Sequence, residues 1–252
     1  MKGIFFKYPL EFQLHVDGET WKQGDFIQGR LIVKNRGAAP VSLNSIQVQL
    51  ALGELKKVRA KSEHAFKAIE TAPLKTSENL IPEKEYSLEW KFKTDRNCPI
   101  SDASSSLFLL YGSGEDPKQL GQLQANIQPE FVIQEFLNTL STQFRFVRKG
   151  EKAGKYGVEA KLAPPSSKNF VTLEQLIANF RYEGETLHVI FTFQVKKIDP
   201  TAASFEVKKE KKEFKDQLGK SDYLLPSGRV NPEIIEASIK KGLSVVEAKI
   251  MF

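Results

Sequence analysis

The sequence predicts an all-β chain: two antiparallel β-sandwiches in tandem, with a short helix between them and a second helix near the C-terminus. Three observations predict it. Short segments that alternate apolar and polar residues recur along the chain, each bounded by Gly, Pro, Asn or Asp. Phe is used 18 times against 2 Met, a choice that favours packed sheets over adaptable helices. The 252 residues suit two domains, since domains usually hold about 100–150 residues each.

In the first half, residues 10–16 place Leu10, Phe12, Leu14 and Val16 on one face and polar neighbours on the other, and Asp17-Gly18 turns the chain. Residues 26–35 follow with Ile27, Gly29, Leu31 and Val33 on one side, broken by the stretch from Gly37 to Pro40. Ile46, Val48, Leu50 and Leu52 repeat the period of two, as do Tyr86, Leu88, Trp90 and Phe92 within 85–93. Residues 105–111 include the wholly apolar run from Leu107 to Tyr111, which suits a strand buried on both faces in the middle of a sheet. A strand over 119–127 completes this half.

Pro129 marks the predicted boundary, giving domains 1–128 and 129–252. Over 130–141 the period changes: Phe131, Ile133, Phe136, Leu137 and Leu140 fall near i, i+3 and i+4 spacing, which predicts a short amphipathic helix. Strands are expected at 144–147 and 158–162, the latter closed by Pro164-Pro165. Segments 173–182 and 187–195 read as a hairpin around Glu183-Gly-Glu185. Past Pro200 the pattern gives way to charge. Asn231-Pro232-Glu233 then predicts a helix start, with a capping Asn, Pro in the first turn and an acid at the positive end of the dipole. Ile234, Ile235, Ala237 and Ile239 form its stripe, Gly242 is expected to stop it, and 243–252 is left as a final strand or tail.

Composition narrows the function classes. Hydrophobic residues at 40% and charged residues at 27% fit a globular chain with a real core. The opening Met1-Lys-Gly-Ile-Phe-Phe-Lys carries too short an apolar run for a signal peptide, and no run reaches the length of a membrane span. The single Cys98 makes no internal disulfide. A cytoplasmic location is expected.

Chemistry-bearing constellations are sparse. His15, His64 and His188 lie far apart in sequence and far from Cys98, so no short metal-ligand motif exists. His15 and His188 occupy polar positions of alternating strands, which points them outward. Cys98 before Pro99 reads as a small buried hydrophobe. Gly112-Ser-Gly-Glu-Asp116 lacks the Gly-Lys-Ser/Thr ending of a phosphate loop and reads as a hairpin turn, with Glu115 and Asp116 solvent-facing. Asp102 with Ser104, Ser105 and Ser106 has cation-binding residue types in ordinary loop context. No catalytic, cofactor or metal residues are assigned, and an enzyme would require residues distant in sequence to converge.

The segment Gly18-Glu-Thr-Trp-Lys-Gln-Gly-Asp-Phe-Ile-Gln-Gly resembles the arrestin-like superfamily: an aromatic (Trp21), a Gly beside an acid (Gly24-Asp25), then a strand with a mid-strand Gly (Gly29). The stretch from Asn97-Cys-Pro-Ile to Leu107-Phe-Leu-Leu-Tyr111, the Pro129 crossover with its helix, and Gly157-Val-Glu-Ala-Lys-Leu-Ala-Pro164 followed by 173–180 and 187–191 look like the bacterial sporulation-control branch. The likeness covers most of 8–200. It implies two arrestin-like, immunoglobulin-like sandwiches and a regulator acting through protein contacts. It supplies no catalytic residues. A lysine-rich surface stands here where that branch leans acidic in its second domain.

Two functional expectations follow. The first is a non-enzymatic intracellular scaffold or regulatory adaptor that binds protein partners at sheet edges or concave faces, with strands 26–35 and 187–195 as edge candidates. The second is a peripheral binder of anionic membrane or polyanion through Lys196, Lys197, Lys208, Lys209, Lys211, Lys212 and Lys215, drawing on the net charge of +6. Glu210 and Glu213 interleave with those lysines, so the stretch reads as a solvated, partly self-paired surface and nucleic acid is not expected.

Overall fold

In a computed structural model that describes residues 1–43, 45–73, 79–155, 157–199 and 206–246, contacts divide the chain into two compact units, Met1–Gln128 and Pro129–Phe252. Among the described residues no helix is long and apolar enough to cross a membrane.

Unit 1 contains β1 (Lys2–Lys7), β2 (Leu10–Val16), β3 (Thr20–Lys22), β4 (Phe26–Asn35), β5 (Val41–Ser42), β6 (Ile46–Glu54), the short helix α1 (Leu55–Arg59), β7 (Phe66–Pro73), β8 (Asn79–Leu80), β9 (Glu85–Lys93), β10 (Ser105–Ser113) and β11 (Gly121–Gln128). A four-stranded sheet runs β1-β2-β4-β9 and a five-stranded sheet runs β3-β11-β10-β6-β7. They form a sandwich because alternation aims one face of each inward. Phe12, Leu14, Leu31, Trp90 and Phe92 from the first meet Val48, Leu50, Leu107, Leu109 and Tyr111 from the second. β10 pairs with β6 and β11, and is buried on both faces. Leu107, Leu109 and Tyr111 enter the sandwich core, while Phe108 and Leu110 join a second cluster under α1, against Leu55, Val58 and Phe66.

Two turns follow the expected chemistry. Asp25 Oδ2 accepts from the Lys22 amide at 2.7 Å. Asp102 Oδ1 accepts from the Ser104 and Ser105 amides at 2.6 and 2.8 Å, so its oxygen is occupied by the chain's own turn. Gly29 serves a close approach: a Cβ there would lie 2.0 Å from the His15 carbonyl oxygen.

Unit 2 contains α2 (Phe131–Thr142), β12 (Val147–Ala153), β13 (Val158–Ala163), β14 (Leu173–Glu183), β15 (Thr186–Asp199), β16 (Glu206–Leu218), α3 (Lys220–Tyr223) and α4 (Pro232–Leu243). Its strands form one antiparallel sheet, β12-β13-β14-β15-β16. The chain as a whole is built mainly of β-strands, but among the described residues this sheet has no second sheet against it. Helices cover it instead. The reason lies in the stripes of α2 and α4: Val132, Ile133, Phe136, Leu137 and Leu140 on one, Ile235, Ile239 and Leu243 on the other, all buried. The Phe136 ring sits 5.4 Å from that of Phe180 on β14.

Several expected boundaries shift. The charged stretch beyond Pro200 is the 13-residue strand β16, registered on β15 by Phe191 opposite Phe214 and Leu187 opposite Leu218. The β14–β15 loop has two residues, since Glu183 pairs with Thr186. The strand expected at 144–147 begins at Val147 and runs to Ala153. Asn231 stands at the cap of α4, yet its side chain makes no capping bond. Gly242 does not stop that helix: it lies inside it, where a Cβ would come within 2.6 Å of the Phe191 ring. The tail over 247–252 lies outside the described residues.

Glu130 joins helix to sheet. It caps α2 by accepting from the Val132 amide at 2.9 Å, and its Oε2 also accepts from the Tyr182 hydroxyl at 2.7 Å. Both residues are buried.

Candidate functional site

β16 is the lysine-bearing strand, and alternation splits its lysines between faces. Lys209, Lys211 and Lys215 share a face with Lys196, because Lys196 stands opposite Lys209, Gln194 opposite Lys211 and Ile190 opposite Lys215. Lys212 stands opposite Phe193 on the apolar face, and its Nζ donates to the Val245 carbonyl at 3.3 Å. It is thus separated from the predicted set. Lys197 and Lys208 are opposite in the backbone register, and their side chains lie outside the described residues.

Acids interrupt the lysine face. Glu174 pairs with Lys196 at 3.3 Å and with Lys209 at 3.2 Å. Hydrogen bonding from Lys209, and then from Lys196, holds its carboxyl below the ordinary carboxylate range. Glu213 pairs with Lys215 at 2.9 Å. Lys211 has no ion-pair partner among the described residues. β16 is also an edge strand, and lysines along an edge discourage pairing with a further strand.

The two strands expected to offer open edges do not. β4 pairs with β2 and β9, and β15 pairs with β14 and β16, so their backbone groups are used on both sides. Alternation reports which face is buried and carries no signal of position within a sheet.

The open edge with an apolar row is β1, which pairs with β2 alone. Its Gly3 and Phe5 side face the core. Ile4 is 64% exposed, Phe6 55% and Tyr8, in the β1–β2 turn, 75%. Phe26 is also exposed on this sheet, with Lys91 Nζ 3.9 Å from its ring centroid. The sequence reading missed this row. Its signal was the pair Ile4 and Phe6 at a spacing of two, in a segment too short to show a period.

A cleft of about 640 Å³ lies on the same sheet, lined by His15, Asp17, Gly29, Arg30, Glu89 and Lys91 among others. His15 Nε2 is buried there without a hydrogen-bond partner among the described residues. Burial lowers the imidazole pKa, and the charges of Lys2 and Arg30 lower it further. Charges of both signs line this cleft, from Asp17 and Glu89 and from Arg30 and Lys91.

His188 Nε2 lies 3.3 Å from Glu183 Oε2, at the rim of the β14–β15 hairpin. His64 is exposed. Cys98 is 8% exposed, and burial followed by the nearby Asp95 charge pushes its thiol up to about 12. Among the described residues no three His, Cys, Asp or Glu side chains gather as a metal cluster.

No family model matches this chain, and no curated protein sequence matches it. Among solved structures it is similar to the sporulation control protein Spo0M of Bacillus subtilis, with a TM-score of 0.65 at 15% identity, covering 94% of this chain and 99% of that one. That likeness carries the fold. A β-glucosidase from Listeria innocua in complex with isofagomine aligns at a TM-score of 0.30 and 10% identity, over 49% of this chain and 17% of that one. At that score it supports no argument.

Proposed function

We propose that this chain is a non-enzymatic cytoplasmic scaffold or regulatory adaptor that binds protein partners by strand addition at β1. One observation carries the reading: β1 is an unpaired edge that keeps apolar side chains in solvent, at Ile4, Phe6 and Tyr8. Edge strands normally carry charge, Pro or a cover, because unpaired backbone groups invite a further strand. An added strand gains backbone hydrogen bonds for affinity and side-chain pockets for specificity. The arrestin-like fold and the likeness to a sporulation control protein support a regulatory setting.

The test places a photo-crosslinking residue at Tyr8 in the full chain within the source cell. The expected result is a reproducible adduct with a protein, lost in Phe6→Pro, which removes a donor from the open edge, and retained in Ile69→Ala on β7. Absence of any reproducible protein adduct at Tyr8 overturns the reading.

A second reading, peripheral binding to anionic membrane or polyanion, is favoured by the alignment of Lys196, Lys209, Lys211 and Lys215 on one face of the unit 2 sheet. Lysines near an anionic surface gain roughly 1 kcal/mol each. Glu174 and Glu213 neutralise part of that set.

A further inference from the structure

We propose that β1 pairs with β1 of a second copy of this chain about a two-fold axis at Phe5, joining two sheets into one. The inference rests on the reading of β1 as an open edge and names one occupant for it.

The hydrogen-bond phase of β1 sets which residues are available. The Val16 amide donates to the Met1 carbonyl at 2.9 Å and the Met1 nitrogen donates to the Val16 carbonyl at 2.8 Å, so Met1 and Val16 form a pair that exchanges both bonds. Such pairs alternate along an antiparallel ladder. Gly3, Phe5 and Lys7, registered on Leu14, Phe12 and Leu10, therefore direct their backbone groups toward β2. Lys2, Ile4 and Phe6 direct theirs to the open side, where none has a backbone partner among the described residues.

Self-pairing about a two-fold axis must match residues of the same face and the same phase. With the axis at Phe5, Ile4 stands opposite Phe6 of the second copy and exchanges both backbone bonds with it, twice by symmetry. Lys2 then stands opposite Tyr8, cation against aromatic ring, and Phe5 meets Phe5 on the core side. This register uses the three outward residues of β1, Lys2, Ile4 and Phe6, together with the exposed Tyr8 of the β1–β2 turn. With the axis at Ile4, Tyr8 is left out, and with the axis at Phe6, Lys2 is left out.

Charge complementarity argues for this partner. The strand begins and ends with lysine, Lys2 and Lys7. Parallel in-register stacking would set each lysine on its own copy, which is repulsive. Antiparallel pairing at Phe5 sets no lysine against lysine, placing Lys2 beside Tyr8 and Lys7 beside Gly3. The pairing is isologous, so it closes at two copies and does not propagate. It also covers Ile4 and Phe6, whose exposure on a free edge is otherwise an aggregation hazard.

The test is sedimentation of the full chain across low to high micromolar concentration, with amide exchange read at Ile4 and Phe6. Wild type is expected to associate to a dimer, with both amides protected as dimer forms. Ile4→Lys alone and Phe6→Glu alone each weaken association about tenfold or more, by setting a charge against an apolar neighbour. The double variant Ile4→Lys/Phe6→Glu sets opposite charges across the axis twice and restores the dimer. Both positions are solvent-exposed in the single chain, so folding is retained and circular dichroism checks it. A wild type that stays monomeric throughout overturns the proposal, as does a dimer that leaves the Ile4 and Phe6 amides unprotected, or a double variant no better than the singles. A monomer that still forms a protein adduct at Tyr8 removes self-pairing and leaves the adaptor reading standing. Loss of both removes both.

Discussion

Unit 1 covers its first sheet with a second sheet, whereas unit 2 covers its one described sheet with α2 and α4. The difference extends to the edges. In unit 2 the outer strands carry charge: β12 holds Arg148, Lys149, Glu151 and Lys152, and β16 alternates Lys with Glu. In unit 1, β1 leaves Ile4 and Phe6 in solvent on an open edge. Charged edges repel added strands and apolar ones accept them, so a capacity for strand addition is concentrated in unit 1. The helical cover of unit 2 has its own consequence: part of that core comes from elements whose packing, more than their propensity, holds them in place.

The largest expected effect tests that cover. Phe136 is fully buried on α2 and packs against Phe180 of β14. Phe136→Ala is expected to cost about 3–5 kcal/mol of stability, read as a lower urea midpoint at unchanged slope. A loss under about 1 kcal/mol, the scale of an ordinary surface change, would show that α2 is an attachment to the sheet and not part of its core, and the contrast between the two units would fail.

Much of unit 1 was legible because its strands alternate cleanly. Segments 10–16, 26–35 and 85–93 coincide with β2, β4 and β9, since each has one wet and one dry face. The apolar run from Leu107 to Tyr111 is likewise a doubly buried central strand. What stayed hidden has physical reasons. β16 reads as charge because one of its faces is solvent and because Lys212 uses its length to reach a carbonyl from the apolar face. Gly242 reads as a helix stop, whereas the Phe191 ring lies against it. The candidate site was the least legible part. Edge status is a property of which strands pair, and neither the period of β1 nor that of β4 contains it.

An intermediate effect belongs to unit 1 alone, because Cys98 is the chain's single cysteine. Its thiol is raised from 9.0 to about 12 by burial and by Asp95, and Tyr111 is raised from 10.0 to about 12 by burial. Below pH 9 both the folded and unfolded states keep the thiol proton, so nothing is lost. Above pH 9 the unfolded chain ionises first, and stability falls as pH rises toward 12. Cys98→Ala is expected to flatten the first part of that fall, leaving the Tyr111 contribution above pH 10. Urea midpoints measured across this range check it, and an unchanged slope in the variant would locate the alkaline loss elsewhere. Iodoacetamide at neutral pH should label native Cys98 slowly for the same reason.

The smallest structural effect, and the sharpest test of the lysine face, comes from Glu174→Gln. The carboxylate is half-buried, but its partners Lys196 and Lys209 are 51% and 73% exposed, and pairs open to solvent contribute little to stability, so the melting temperature should not change measurably. Its removal frees two cations beside Lys211. If the face can hold an anionic surface, sedimentation with phosphatidylserine-containing vesicles should be salt-sensitive and stronger for the variant than for wild type, because each freed lysine adds to the attraction. If both proteins stay in the supernatant at low salt, the lysines serve only to keep the β16 edge unpaired. That outcome would leave β1 as the one interaction surface that the contrast between the units supports.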